Sequence, residues 1–396
     1  MINIQDEHKC CGCKACGQRC PKSCISYHTD EKGFYYPKVD IEKCIDCRLC
    51  EEVCPMIQNA SSRLPRNQFA GINTNENIRS TSSSGGIFYT IASKIIEDGG
   101  AVVGAVFDDK WMVRHQIAES TEDLSKLKGS KYVQSDIREV FLESEKLLKE
   151  GRKVLFSGTP CQVAAFKRFL RKSYKNLLCV DIACHGVPSS LIWGDYLCQI
   201  MKSTSYWKYV DSLTFKDKSK SWSNYALNIR YHDEEEHEHY LNQSKAENLY
   251  MRCFLRNLTL RPSCFQCPSK DGRSGSDIML GDFWGIDCSH PELNDEKGTS
   301  VILCYTKKGE DILNGLKGTI TLKEVSFHDA TIYNPAITRA STETKEVGKF
   351  WEEYISKHTV DEKIKVLNKY AIPKRLSYHQ RLLIRLKHFF SICFRK

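Results

Sequence analysis

Two stretches carry the clearest chemistry in this sequence: Cys10-x2-Cys13-x2-Cys16-x3-Cys20-Pro21, and Cys44-x2-Cys47-x2-Cys50-x3-Cys54-Pro55. Thiols at such fixed, short intervals are metal ligands. Disulfide frameworks belong to small secreted domains, and structural thiols scatter, as Cys179, Cys198, Cys253 and Cys304 do. Three thiolates in an x2, x2 run hold three corners of a [4Fe-4S] cube. When the run occurs twice, the cysteine before each proline reaches across to the other cube. That rule assigns Cys10, Cys13, Cys16 and Cys54 to one cluster and Cys44, Cys47, Cys50 and Cys20 to a second. Zinc knuckles are the competing use of clustered cysteines, but a zinc site takes only four ligands, usually as two pairs. Cys11 and Cys24 fall outside the register and read as small buried residues.

Downstream chemistry depends on what positions it. "NASSRLPRNQ", 59–68, reads as a linker. "GIFYTIASKIIEDGG" then has helical apolar spacing with glycines as a stop, and "AVVGAVF" reads as a buried strand. "KVLFSG" and "LLCVDIAC" are two more strands, each leading into a helix. Strands alternating with helices predict an α/β core with a mixed, partly parallel sheet. The cysteine-rich head is predicted to be a small α+β domain. Cys161 and Cys184 each stand just past a strand end, where open α/β sheets keep their sites. Either alone also reads as a buried structural thiol. Cys264-x2-Cys267 would raise the set to four, enough for a third [4Fe-4S] cluster, and a redox dithiol is the other use of that spacing. "STSSSGG", 80–86, precedes the first core helix and reads either as a phosphate-binding turn or as ordinary N-caps. No G-x-G-x-x-G fingerprint is present, so a Rossmann nucleotide site is not indicated.

The charge is uneven. Of a formal net charge of +9, residues 363–396 supply ten Lys or Arg and no acid, leaving 48 basic against 49 acidic residues elsewhere. A neutral body argues against nucleic acid as a partner. "QRLLIRLKHFFSICFRK" places Leu382, Leu383, Leu386, Phe389, Phe390 and Cys393 at helical spacing. Such a helix either lies on an anionic membrane surface or docks on protein. "YHDEEEHEHY", 231–240, reads as a solvated hairpin turn. The start "MINIQDEHKC" lacks signal-peptide features, and no run approaches the ~18 apolar residues of a membrane span. The expectation is a cytoplasmic protein, peripheral to the inner membrane if the tail helix lies there.

In order along the chain, "SSSGGIF", "GSKYVQS", "FSGTPCQVAAF", "IACHGVPS", "RPSCFQC", "SDIMLGDFWGI" and "KGTSVILCYTKKG" resemble the recurring segments of the coenzyme F-420 hydrogenase/dehydrogenase beta-subunit family, here behind a bacterial ferredoxin-type head. The resemblance implies FAD beside a [4Fe-4S] cluster held by Cys161, Cys184, Cys264 and Cys267. It implies flavin contacts from Ser84, Gly85, Gly86, Ser130 and Lys131. It implies an iron–sulfur flavoprotein oxidoreductase working between a one-electron carrier such as ferredoxin and an organic two-electron substrate, through FAD. Bacterial relatives encoded among polysaccharide-synthesis genes form one branch, so the substrate class extends to glycan precursors. Two alternatives stand: a subunit that oxidises or reduces the deazaflavin itself, and an electron carrier or adaptor with no substrate. His185, beside Cys184, would protonate flavin or substrate, or else is a hydrogen-bonded loop histidine. The expected organisation is a 2[4Fe-4S] domain at 1–60, a flavin and iron–sulfur core at 61–345 (parts about 66–150 and 151–310), and a basic helical tail at 346–396.

Overall fold

A computed structural model describes residues 1–58 and 60–372. In the head, strands β1 (Ile25–Thr29) and β2 (Tyr35–Val39) form an antiparallel pair. Two short helices, Ala15–Gln18 and Leu49–Glu52, sit inside the two cysteine runs. Each follows a left-handed residue, Lys14 at φ 56° and Arg48 at φ 58°. The duplicated spacing thus folds into duplicated turns.

The core is an α/β unit around one eight-stranded, mixed sheet. Its strands are β3 (Asn67–Asn73), β4 (Ala101–Phe107), β5 (Val113–Ala118), β6 (Val154–Gly158), β7 (Leu177–Ile182), β11 (Ile278–Asp282), β12 (Ser300–Cys304) and β13 (Ile320–Glu324). They lie in the order β13-β3-β12-β11-β7-β6-β4-β5. The centre, β4-β6-β7-β11, is parallel, and both flanks are antiparallel. Every residue of β6 is buried, as expected of a strand with both faces covered. The strands β8 (Val210–Asp217), β9 (Ala226–His232) and β10 (Glu238–Ser244) form a separate antiparallel sheet. The acidic, histidine-rich run at 231–240 closes the β9–β10 hairpin with largely exposed side chains.

The head is not a separate bead on the core. Cys13, Ala15 and Val53 pack with Phe141, Phe156 and Phe166 in one apolar cluster. Phe34 and Tyr36 join Trp193, Trp351 and Tyr354 in another. The linker is tied down: the Arg63 guanidinium donates to the carbonyls of Gly272 and Ser276, both at 2.9 Å. Helices Val347–Ile355 and Val360–Ala371 bury Phe350, Trp351 and Leu367 against the body. The surface helix expected from residues 382–393 lies outside the described residues. No helix among the described residues is long and apolar enough to cross a membrane.

Candidate functional site: three thiol sets and a serine-lined cleft

Local sequence explains how the core cysteines meet. Strands β6 and β7 are parallel neighbours, so their carboxyl ends lie side by side. Beyond β6, Thr159 caps the helix Pro160–Leu170 with Gln162 in a reciprocal capping box, which puts Cys161 in the first turn. Beyond β7 the chain runs irregularly through Cys184. It is stapled to the later segment by a bridge between Pro188 and Leu260 and by Arg261 N–H donating to the Val187 carbonyl at 3.0 Å. A single 3-10 turn, Pro262–Gln266, then presents Cys264 and, directly after it, Cys267.

The result is one cavity lined by Cys161, Cys184, Cys264 and Cys267. The Val187 N–H reaches Cys264 Sγ at 3.4 Å, and the Thr159 hydroxyl lies 3.2 Å from Cys161 Sγ. Burial pushes the Cys184 thiol up to about 12 and Cys267 up to about 11, against the pull of Lys270. Two buried cations, Arg261 and Lys270, share the lining. Lys270 donates to the carbonyls of Cys184 and Ala336. Sequence reasoning missed both cations. "RPSCFQCPSK" contains them, but only their burial beside thiols marks them as part of the site.

In the head, Cys20, Cys44, Cys47 and Cys50 line a second small cavity. Cys10, Cys13, Cys16 and Cys54 form a mutually interacting group. Burial drives Cys16 up to about 12, with the charges of Cys10 and Cys54 beside it, and Cys13 is near Cys16 and Cys54. The two off-register cysteines are not bystanders. Cys24 Sγ is 3.3 Å from Cys20 Sγ and lines the second cavity. Cys11 lines the core cavity with the other four. A zinc ion would need its sulfurs each about 2.3 Å away. No group of three or more His, Cys, Asp or Glu side chains among the described residues is arranged to hold a single ion. Four thiols around a cavity, with cations behind them, fit a larger anionic cluster.

Head and core meet tightly at Gly12. Its φ is +69°, and a Cβ there would lie 2.8 Å from Arg261 Nη1 and closer still to Gln134 Nε2. Gly12→Ala is therefore expected to destabilise the chain by about 1–3 kcal/mol, from overpacking and left-handed strain together. Thermal unfolding measures it, and an unshifted midpoint would contradict the close approach.

Against the core cavity lies an open cleft of about 240 Å3. Ser84, Gly86, Ser130 and Lys131 line it. Gly85 does not. Its N–H donates to Ser300 Oγ at 3.0 Å, and a Cβ there would collide with the Gly71 carbonyl, so it seats the turn on the sheet. The turn is held from below by Lys218, which donates to the carbonyls of Arg79, Ser84 and Lys297. Ser130 donates through N–H and hydroxyl to Ser83 Oγ at 2.6 and 2.9 Å. Lys131 Nζ donates to the Lys128 and Gly129 carbonyls, and burial brings it down to about 7. His115, also on the wall, was not found from the sequence. It sits between Ser135 Oγ at 2.7 Å and the Ser157 carbonyl at 3.1 Å, and burial lowers it to about 4. A single histidine inside the strand "VRHQIA" gives no spacing signal.

The segment Cys184–Val187 lines both cavities. Its His185 meets Asn257 Oδ1 at 2.6 Å, while Asn257 Nδ2 donates to the Thr342 carbonyl at 2.9 Å. That second bond fixes the amide, so His185 Nε2 carries the proton and Nδ1 is the acceptor. Burial lowers its pKa, which favours the neutral ring.

Three family models match. Residues 68–141 match the N-terminal region, and residues 151–328 the C-terminal region, of the coenzyme F420 hydrogenase/dehydrogenase beta subunit. Residues 9–57 match a 4Fe-4S dicluster domain. Among solved structures, the chain is similar to one from the F420-reducing [NiFe] hydrogenase complex of Methanosarcina barkeri. Identity is 16% and TM-score 0.46, over 78% of this chain and 91% of that one. A comparison with curated proteins gives no match.

Proposed function

This chain belongs to the coenzyme F420 hydrogenase/dehydrogenase beta-subunit family, behind a 4Fe-4S dicluster head, and on that premise we propose that it is an iron–sulfur flavoprotein oxidoreductase. It exchanges electrons between a one-electron carrier protein, such as a ferredoxin, and an organic two-electron substrate. The observation that carries this reading is the shared wall Cys184–Val187, with a four-thiol cavity on one side and a serine- and lysine-lined cleft on the other. Clusters supply single electrons and a flavin supplies paired ones, and the protein sets where they meet.

Cys161, Cys184, Cys264 and Cys267 would hold the core cluster, and the two head sets the other two. The turn Ser82–Gly86, with Ser130 and Lys131, would hold the flavin's phosphate and ribityl end. His185 Nδ1 would take and return a proton beside the reacting ring, its orientation fixed by Asn257. A second reading, in which the organic substrate is the deazaflavin itself, rests on the coenzyme that the matched models name.

Anaerobic purification tests the reading. About twelve iron and twelve sulfide per chain, with one flavin, are expected from three cubes and FAD. About eight iron and no flavin would leave an electron carrier instead.

Lys131 gives the flavin part its own pH test. Its amine is half-neutral near pH 7 when the cleft is empty. A bound phosphate favours the protonated amine, so binding takes up a proton above that pH. Affinity is full below pH 7 and falls as pH rises through it, by at most about tenfold per unit. Flavin fluorescence quenching at pH 6 and 8 measures it. Lys131→Met should weaken binding roughly 10- to 100-fold and flatten the pH dependence. Unchanged affinity would place the phosphate elsewhere.

A further inference from the structure

We propose that Asp282 is a further ligand-binding residue of the cleft: its Oδ2 accepts a hydrogen bond from a sugar-type hydroxyl of the flavin cofactor, and Lys216 holds the carboxylate in place to do so. The proposal rests on the flavin reading above. Asp282 ends β11 and lines the cleft. Two donors converge on one of its oxygens: Lys216 Nζ reaches Oδ1 at 2.5 Å, and Trp222 Nε1 reaches the same atom at 2.9 Å. Among the described residues no hydrogen bond engages Oδ2. The Asp282 side chain is 18% exposed, whereas that of Lys216 is 1% exposed. The lysine comes from β8, in the separate sheet, and aromatic rings fix it. Its Nζ lies 5.0 Å from the Tyr225 ring centroid and 5.1 Å from that of Trp284, on which Trp222 stacks.

Chemistry selects the ligand group. Asp282 pairs with Ser300 across β11 and β12, and Ser300 Oγ accepts from Gly85 N–H of the turn assigned to the phosphate. The parts of FAD that flank its phosphates carry hydroxyls, on the ribityl chain to one side and on the ribose to the other. A carboxylate repels a phosphate but accepts strongly from a hydroxyl. Lys216 offsets the negative charge of Asp282, so the carboxylate can stand near the phosphate site without opposing binding there. A pair built only to bury Lys216 would need its counter-charge and nothing more. Here both internal donors take one oxygen, and the other is left for a ligand in the cleft.

The test is flavin binding to the full chain, prepared anaerobically and freed of flavin, read by fluorescence quenching. The probes are FAD and two deoxy analogues, one lacking ribityl hydroxyls and one lacking ribose hydroxyls. In the unaltered chain one analogue should bind about 10- to 100-fold more weakly than FAD, and which one it is assigns the hydroxyl. In Asp282→Ala, FAD itself should weaken by a similar factor, and that analogue should lose little more. The double variant Lys216→Met, Asp282→Ala removes both charges together and serves where the single variant folds poorly. Equal affinity of FAD for Asp282→Ala and the unaltered chain would overturn the proposal. So would full affinity of both analogues for the unaltered chain, or the same deoxy penalty in both proteins, which would place the hydroxyl on another residue. If Lys131→Met weakens FAD while Asp282→Ala does not, this proposal alone falls. No FAD binding by the unaltered chain would overturn the flavin reading, and this proposal with it.

Discussion

Cys264→Ser is expected to release about four of about twelve iron atoms, with matching sulfide, while both head signals survive. Cys264 sits on the turn Pro262–Gln266, far in sequence from the head runs. Its sulfur faces the cavity and takes a 3.4 Å hydrogen bond from Val187 N–H. A serine hydroxyl is a shorter, harder and far less acidic ligand, so one corner of the cube is left unheld. The head sets have their own elements: Cys20, Cys44, Cys47 and Cys50 line a separate cavity. Loss should therefore be confined to the core. The flavin is a second readout. Cys184–Val187 is wall to both sites, so loosening the core set should also raise flavin release. A variant that keeps all its iron would mean the four thiols do not share a cluster.

The same geometry explains what could and could not be read in advance. The thiol groupings of the head were legible because their contacts are local: three thiols within seven residues must face one another whatever the rest of the chain does. The parallel centre of the sheet was legible from strands such as "KVLFSG" feeding helices. The antiparallel side was not. β3 enters between β12 and β13 from the other end of the sequence, and no local pattern announces that order. Cys11 read as filler because the residues of the core cavity it lines are distant in sequence and meet it only when head and core dock. His115, Lys270 and Arg261 share that property. Each is an ordinary residue by type and spacing, and its meaning comes from burial beside groups contributed by other elements. The turn at 80–86 was half legible: Ser84 and Gly86 reach the cleft, whereas Gly85 serves the sheet beneath it.

Arg261 joins these pieces, and its replacement should have the largest effect on stability. The side chain is fully buried, yet its hydrogen bonds go to neutral oxygens: Cys10 O at 2.6 Å, Tyr35 O at 2.7 Å and Gln134 Oε1 at 3.1 Å. The guanidinium also lies 4.5 Å from the Tyr36 ring centroid. Two of those oxygens belong to the head, one to the core, and Arg261 also lines the thiol cavity. A buried cation with neutral acceptors is costly unless anionic charge stands nearby. Thiolates, and the clusters they would hold, would supply that charge, so the arginine should stabilise the loaded chain more than the empty one. Arg261→Met leaves three buried oxygens unpaired and is expected to cost about 3–5 kcal/mol in the loaded chain. Arg261→Lys keeps the charge, but one ammonium cannot span all three acceptors, so part of that loss should remain. The two variants separate in electrochemistry. Removing a positive charge beside a centre that becomes more negative on reduction makes reduction harder. The core midpoint should therefore fall in Arg261→Met and move much less in Arg261→Lys. Unfolding of the anaerobic holoprotein, with the redox titration alongside, measures both. If Arg261→Met were as stable as the unaltered chain and its midpoints unmoved, the arginine would be neither clamp nor counter-charge.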